Sequence, residues 1–113
     1  QSIRWASLGQ DAALLPGMVT SDEPGVYFAG DYGIRLENLM LCVRQDTTPF
    51  GTFLGFESLT LTPFDLDAVD PSLMSDEEKV LLNRYHAKVR DALTPLLPPE
   101  EAVWLQDATR PVE

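Results

Sequence analysis

Two glutamates lie in strand-like segments that are otherwise apolar, and they are the residues of this sequence best suited to chemistry. Glu23 belongs to the segment Thr-Ser-Asp-Glu-Pro-Gly at residues 20–25, and Glu37 to Gly-Ile-Arg-Leu-Glu-Asn at residues 33–38. Side chains two residues apart on a strand point to the same face, so Arg35 and Glu37 share one face of the second segment. Charged side chains in an apolar strand need charged partners or a metal ion, because unpaired burial is costly.

If the two segments are neighbouring strands, Glu23 and Glu37 converge across the ladder, where directly opposed Cβ atoms lie about 5 Å apart. Two carboxylates that close repel each other unless a proton or a cation lies between them. Carboxylate oxygens suit hard or borderline divalent ions such as manganese, magnesium, zinc and cobalt. The alternative is a surface hairpin with solvated glutamates and an ordinary salt bridge from Arg35, and spacing alone favours this second interpretation.

The first half of the chain has the punctuation of a β-rich region. Between residues 16 and 63, β-branched or aromatic runs alternate with glycine and proline, a pattern typical of antiparallel strands. The pattern predicts three or four strands, with a turn at Gly30 and Asp31 and a loop over residues 45–51. The predicted strand runs cover residues 17–21, 25–28, 33–43 and 52–62.

The second half has helical spacing. Ser75 followed by Glu78 forms a capping box, which predicts a helix over residues 76–96. Pro99 suits the first turn of a second, shorter helix, which Pro111 ends. The apolar positions expected to be buried on these helices are Leu81, Tyr85, Val89, Ala92, Leu96, Val103, Trp104 and Ala108.

These two patterns indicate the α+β fold class, with antiparallel strands followed by two helices. The division falls between a β-rich region at residues 1–64 and a helical region at residues 65–113. A length of 113 residues with 44% apolar and 9% aromatic residues is sufficient for a packed core.

Charge and hydropathy exclude several classes of partner. Eighteen acidic and eight basic residues give a formal net charge of −10, which disfavours phosphate backbones and anionic lipid surfaces. We therefore expect no nucleic-acid partner and no membrane partner. No apolar run approaches the roughly 20 residues that cross a bilayer, so a soluble, cytoplasmic protein is predicted. The single Cys42 lies in an apolar run, where a buried reduced thiol acts as a small hydrophobe and favours a reducing compartment.

Several other residues could be given a functional role, but a structural interpretation is favoured for each of them. His86 is the single histidine, and its mid-helix position without a carboxylate or cysteine at useful spacing indicates a structural or surface role. The acidic run Asp65, Asp67 and Asp70 lacks the glycine and terminal glutamate of a calcium loop, so a solvated linker is favoured. Asp22 points to the strand face opposite Glu23 and is left outside the candidate site.

The segments around Glu23 and Glu37 resemble the paired signature of aminopeptidase P (Xaa-Pro aminopeptidase). This family belongs to the pita-bread metallopeptidases, which include prolidase, methionine aminopeptidase and creatinase. The resemblance rests on Gly-Met-Val-Thr-Ser-Asp-Glu-Pro-Gly-Val-Tyr at residues 17–27 and on Gly-Ile-Arg-Leu-Glu-Asn at residues 33–38.

The resemblance extends over nearly the whole chain. Four later segments are similar to the tail of the longer aminopeptidase P forms: residues 53–63, 70–79, 83–90 and 104–111. The resemblance implies the C-terminal part of a pita-bread catalytic domain, with residues 1–64 as its β-rich half and residues 65–113 as its helical tail.

The same resemblance implies roles for three side chains. In the family, the glutamate before Pro-Gly binds one metal ion of a dinuclear centre, and the glutamate of Arg-x-Glu-Asn bridges both ions. These roles fall on Glu23 and Glu37, and a supporting role outside the ligand set falls on Arg35. The complete enzyme is expected to hold two divalent ions, manganese first and zinc or cobalt as alternatives. Its expected substrate is a peptide with proline at the second position.

The family's remaining ligands, two aspartates and a histidine, lie upstream of the matched segments. The expectation is therefore a C-terminal fragment that is inactive alone and needs the upstream half of the catalytic domain or a companion chain. A homo-oligomer is also expected, since a partial domain exposes strand edges and apolar faces. The alternatives are a non-catalytic interaction or dimerisation module with the same fold, or an unrelated acidic α+β binding domain.

Overall fold

The computed structural model describes residues 13–113 and divides the chain into two compact units. Of the described residues, 13–60 belong to the first unit, which contains all the strands of the described region. The second comprises residues 61–113 and contains the helices. Antiparallel strands followed by two α-helices confirm the predicted α+β class. The boundary lies four residues before the one expected from sequence.

The β-rich unit contains a three-stranded sheet of order β1-β4-β5 and a separate β2-β3 pair, all antiparallel. The extended runs anticipated in this region are present, although their bounds differ. The five strands are β1 (Val19–Asp22), β2 (Gly25–Tyr27), β3 (Gly33–Arg35), β4 (Asn38–Thr48) and β5 (Gly51–Ser58).

The two sheets share one register, so the chain from β1 to β4 folds back on itself as a single ribbon. Asp22 faces Asn38 in the first pair, and Gly25 faces Arg35 in the second, which is the continuation of the same alignment. The Leu36 N–H donates to the Pro24 carbonyl at 3.1 Å between the two ladders. Ladder pairing is interrupted here because Pro24 has no N–H to donate. The single strand predicted over residues 33–43 is therefore wrong at this point, where the structure has two strands.

The expected turn between the second and third runs is present. The Phe28 N–H donates to the Tyr32 carbonyl at 2.8 Å, and the Asp31 N–H donates to the Phe28 carbonyl at 3.1 Å. Gly30 has a φ of 75°, a left-handed conformation that glycine adopts without a steric penalty.

The predicted loop over residues 45–51 is wrong. The β4–β5 ladder continues to the pair Thr48–Gly51, so a tight turn replaces the loop. The pairing shifts by one residue between Arg44 and Asp46, leaving Gln45 as a bulge. The β-branched threonines at 47, 48 and 52 favour extended backbone, and this preference outweighs the turn-forming composition of the segment.

The helical unit has the two predicted helices. They are α1 (Asp76–Leu93) and α2 (Pro99–Ala108), joined through a short 3-10 helix at Thr94–Leu96. The capping box is confirmed: the Glu78 N–H donates to Ser75 Oγ at 3.3 Å, and the Ser75 N–H donates to the Glu78 carboxylate at 2.8 Å. No helix among residues 13–113 combines the length and apolar character needed to cross a bilayer.

Burial in the helical unit follows a different face of α1 from the one predicted. Val89 is buried as expected, but Leu81 and Ala92 on α1 are exposed, as are Leu96 in the 3-10 helix and Val103 and Trp104 on α2. Tyr85 and Ala108 are half-buried. One reason is that Leu105 on α2 and Thr109, directly after α2, are the buried side chains in this part of the unit. The Arg90 guanidinium donates to the Thr109 carbonyl at 2.9 Å. The fully or nearly buried side chains of this unit are His86, Val89, Leu105, Thr109 and Val112.

Most large apolar side chains of the β-rich unit are exposed. Cys42 is the buried apolar side chain among the described residues of this unit, which confirms the expected buried thiol. Every residue of β2 and β3 is exposed. The large exposed apolar residues on the strands and their hairpin are Val19, Val26, Tyr27, Phe28, Tyr32, Ile34, Leu39, Phe53, Leu54 and Phe56. Exposure of this many large apolar side chains is typical of surfaces that another polypeptide covers.

The capping box provides a test of the helical unit. Replacing Ser75 by alanine removes the acceptor for the Glu78 N–H, and we expect the free energy of unfolding to fall by about 1 kcal/mol. Urea unfolding followed by far-UV circular dichroism measures this loss. Ser75→Thr, which keeps the hydroxyl, is the control and is expected to unfold within a few tenths of a kcal/mol of the parent. Equal losses in both variants would contradict the assignment.

Candidate functional site

The shared register of the ribbon brings the two candidate glutamates together. Continuation of the alignment from Asp22–Asn38 to Gly25–Arg35 places Glu23 opposite Glu37. Both residues lie in the interruption between the two ladders, and both are exposed. The sequence-based expectation that the two segments are neighbouring strands is therefore confirmed.

Arg35 forms its ion pair with Glu23 across the ribbon. Its Nη1 donates to the Glu23 carboxylate and, at 3.3 Å, to the Glu23 carbonyl. Its Nε donates to the Tyr27 hydroxyl at 2.8 Å. Sequence reasoning grouped Arg35 with Glu37 on one strand face, whereas the guanidinium contacts Tyr27 of β2 and Glu23, which lies just before β2. Three donor contacts from one guanidinium hold Glu23 and Tyr27 in a defined arrangement.

Tyr27 is a site residue that sequence reasoning missed. Its ring lies across the neighbouring glycines: a Cβ added to Gly33 would fall 2.1 Å from Tyr27 Cδ1, and one added to Gly25 would fall 2.9 Å from Cε2. Only glycine at Gly33 leaves room for the ring, which then presents its hydroxyl to Arg35. The signal in the sequence was the glycine at position 33, which the register places directly opposite Tyr27.

Ser21 is the second missed residue, and it acts directly on Glu23. Its hydroxyl donates to Glu23 Oε1 at 2.6 Å. This hydrogen bond lowers the pKa of the Glu23 carboxyl, and the positive charge of Arg35 lowers that pKa further. Glu23 is therefore held ionised at neutral pH, which suits a metal-ligating carboxylate better than a general acid.

The described residues fit part of a metal site. Glu23 keeps free lone pairs, since a carboxylate has about four acceptor positions and the hydrogen bonds from Ser21 and Arg35 use two of its side-chain positions. Glu37 is exposed and opposite it. Two oxygen ligands are fewer than a divalent ion requires. Within residues 13–113 no group of three or more histidine, cysteine, aspartate or glutamate side chains is arranged to hold a metal ion.

The other acidic and basic candidates have structural roles. Asp65 and Asp70 cap the short 3-10 helices Leu66–Ala68 and Pro71–Leu73 by accepting from backbone N–H groups two residues on. Asp67 accepts from Arg110 at 3.4 Å. These contacts agree with a linker role and not a calcium loop. His86 is fully buried in the helical unit, so its structural interpretation is confirmed and its surface alternative is excluded.

Comparison with known proteins identifies the class to which this fold and site belong. Residues 2–44 match the metallopeptidase family M24, and residues 52–112 match the C-terminal region of peptidase M24. The chain therefore belongs to the M24 metallopeptidases.

Individual relatives of this chain are named Xaa-Pro aminopeptidases. The chain is 44% identical over 100 residues to Xaa-Pro aminopeptidase 2 of Sus scrofa, covering 85% of this chain and 15% of that protein. It is 43% identical over 99 residues to the probable Xaa-Pro aminopeptidase P of Arthroderma otae, covering 83% of this chain and 16% of that protein.

A solved structure has the same fold. The X-prolyl aminopeptidase of Caenorhabditis elegans, described as a cytosolic enzyme with a di-nuclear active site, aligns with a TM-score of 0.74 and 37% identity. The alignment covers 88% of this chain and 17% of that protein. The chain thus spans about a sixth of the length of the relatives it matches. The resemblance inferred from sequence, and the pita-bread fold it implied, are confirmed.

The contact from Ser21 to Glu23 can be tested by titration. Ser21→Ala removes the hydrogen bond that contributes most to lowering the pKa of Glu23, so we expect that pKa to rise towards its ordinary value. Carbon-detected NMR of the glutamate carboxyl signals during acid titration measures the change.

The pH dependence of stability follows from the same shift. The pKa of Glu23 is lowered in the folded chain, so the ionised carboxylate stabilises the fold at pH values above its unfolded-state pKa. This stabilisation is lost as the pH falls through its folded-state pKa.

Thr20→Val, on the same strand, is the control for the Ser21→Ala titration and is expected to leave the Glu23 titration unchanged. An unaltered titration in Ser21→Ala would show that the hydroxyl does not act on the carboxylate.

Proposed function

We propose that this chain is the C-terminal part of an Xaa-Pro aminopeptidase catalytic domain and contributes Glu23 and Glu37 to a dinuclear metal centre. The observation that carries the proposal is the register that sets the two carboxylates opposite each other, in a member of the M24 family. The relatives' names support removal of an N-terminal residue that precedes proline. The cytosolic description of the worm enzyme supports a cytoplasmic location.

In this proposal the chain's own residues hold and orient the metal ligands. Glu23 and Glu37 would each supply carboxylate oxygens to the metal ions, with manganese proposed first and zinc or cobalt as alternatives. Ser21 and Arg35 keep Glu23 ionised and fix the orientation of its carboxylate. When bound, the metal pair supplies an acidified water for attack on the peptide bond before proline.

The isolated chain is proposed to be inactive. Two carboxylates cannot define a dinuclear centre, and residues 13–113 hold no third ligand arranged with them. The remaining ligands, two aspartates and a histidine in the family, are proposed to come from the upstream half of the catalytic domain or from a companion chain. The exposed apolar side chains of β2, β3 and their hairpin support such a covering partner.

A non-catalytic interaction or dimerisation module is the second candidate function. The same apolar exposure favours it, since two copies of the chain pairing through these faces would also remove them from water. Sedimentation velocity of the purified chain distinguishes the cases: a homo-oligomer supports the module, and a monomer that associates with the upstream half supports the enzyme part.

Complementation is the direct test of the proposed enzyme. The 113-residue chain is assayed alone and after co-expression with the upstream portion of the worm X-prolyl aminopeptidase, using an Xaa-Pro peptide and added manganese. We expect no hydrolysis and little bound metal from the chain alone. In the complex, Glu23→Gln and Glu37→Gln are each expected to lower turnover by at least about a hundredfold, since each removes a charged metal ligand.

Asp22→Asn is the matched control, because it neutralises the adjacent carboxylate without touching the proposed ligand pair. It is expected to retain turnover within a few fold. Co-purification of the two polypeptides is measured in every variant, so that failed assembly is separated from lost chemistry. Robust hydrolysis by the 113-residue chain alone, or full activity in Glu23→Gln, would overturn the proposal.

A further inference from the structure

The helical unit contains a buried histidine whose hydrogen bonding depends on its being neutral. His86 is 0% exposed, and its Nε2 accepts a hydrogen bond from the Phe64 N–H at 3.0 Å. An imidazole nitrogen that accepts from an N–H carries no proton, so the proton of the neutral ring resides on Nδ1. Nδ1 has no hydrogen-bond partner among the described residues.

The neighbouring tyrosine binds the same stretch of chain. The Tyr85 hydroxyl donates to the Thr62 carbonyl at 2.7 Å, and its ring lies 5.2 Å from the Phe64 ring, centroid to centroid. Tyr85 and His86, consecutive on α1, therefore hold residues 61–64 against the helix. This stretch has few other backbone partners, because the regular helical structure of the unit begins only at Leu66.

Protonation of His86 is incompatible with this arrangement. An imidazolium donates from both nitrogens, so Nε2–H would face the Phe64 N–H, donor against donor. The surroundings offer no compensation: burial and the positive charge of Arg90, one turn along α1, both lower the pKa of the imidazole.

The other charged and titratable groups near the His86 ring do not stabilise its protonated form. On α1 itself, Arg90 and Tyr85 are the neighbours, and the Arg90 guanidinium is held by the carbonyl of Thr109 after α2. Beyond Phe64, the Asp65 carboxylate accepts from the Asp67 N–H, and Asp67 accepts from Arg110. No carboxylate contributes to the His86 titration among the described residues.

We propose that His86 is a pH-sensitive latch, which holds residues 61–64 against α1 while its imidazole is neutral and releases them when it is protonated. The ordinary pKa of histidine applies once the segment has opened, so the opened form takes up a proton more readily than the closed form. The latch is therefore fully closed above about pH 6.5 and weakens as pH falls below that value.

The single histidine makes the latch directly observable in the 113-residue chain. Long-range proton–nitrogen NMR spectra of the imidazole report its tautomer, and we expect the Nδ1–H form at pH 7.5. Hydrogen exchange of the Phe64 amide reports opening of the segment. Its protection factor is expected to fall by up to about tenfold per pH unit below pH 6.5, since opening is linked to uptake of one proton.

Two variants separate the latch from a general loss of packing. Tyr85→Phe removes the bond to Thr62 but no group that titrates near neutrality, so it should lower Phe64 protection while keeping the pH slope. His86→Gln offers a carbonyl oxygen to the Phe64 N–H without titrating, so its protection should be independent of pH between 5 and 7.5 after correction for intrinsic exchange.

Three results would overturn the proposal: an Nε2–H tautomer at pH 7.5, a His86 imidazole that titrates at or above the ordinary histidine pKa, or Phe64 protection in the parent chain that does not change with pH. The tautomer and titration are measured on the parent chain, so the proposal stays testable even if His86→Gln does not fold.

Discussion

The antiparallel register between residues 19–27 and residues 33–41 is the constraint on which the β-rich unit depends. It runs unbroken through two ladders, although Pro24 prevents regular pairing between them. A slip of one residue would turn every side chain of the ribbon to the other face and separate the two glutamates. The same alignment sets Gly33 beneath the Tyr27 ring, so the register and the polar contacts of Arg35 support each other.

The polar groups at the interruption form a connected set. The Glu23 carboxylate accepts from Ser21 at one oxygen and from Arg35 at the other. Arg35 also donates to the Tyr27 hydroxyl. The Arg35–Glu23 ion pair is about half exposed, and exposed ion pairs contribute little net free energy of folding. The pair therefore orients the Glu23 carboxylate more than it stabilises the fold. An ionised, oriented carboxylate opposite a second one is what a metal-ligating strand pair requires, and this agrees with membership of the M24 metallopeptidases.

The two units differ in how their cores are built. The helical unit buries His86 and Thr109 together with three apolar side chains, and the half-buried Arg90 guanidinium donates to Thr109, so much of its interior is polar and depends on satisfied hydrogen bonds. The β-rich unit instead leaves most of its large apolar side chains exposed among the described residues. Among the described residues, Nδ1 of the buried His86 ring is the side-chain atom without a hydrogen-bond partner, at a cost of about 1–3 kcal/mol.

Local signals in the sequence determined the α+β class, the capping box at Ser75 and Glu78, the second helix from Pro99 and the glutamate pair, because each depends on residues close along the chain or on a recognisable motif. The tertiary structure alone decided the break between β3 and β4, the continuation of the β4–β5 ladder to Thr48, the burial of His86 instead of Leu81, and the contacts of Ser21 and Tyr27 with the site. These features depend on partners that lie far apart along the chain, as in the hydrogen bond from the Phe64 N–H to His86, 22 residues away. Sequence periodicity reports which face of an element is apolar, but which face becomes buried depends on what packs against it.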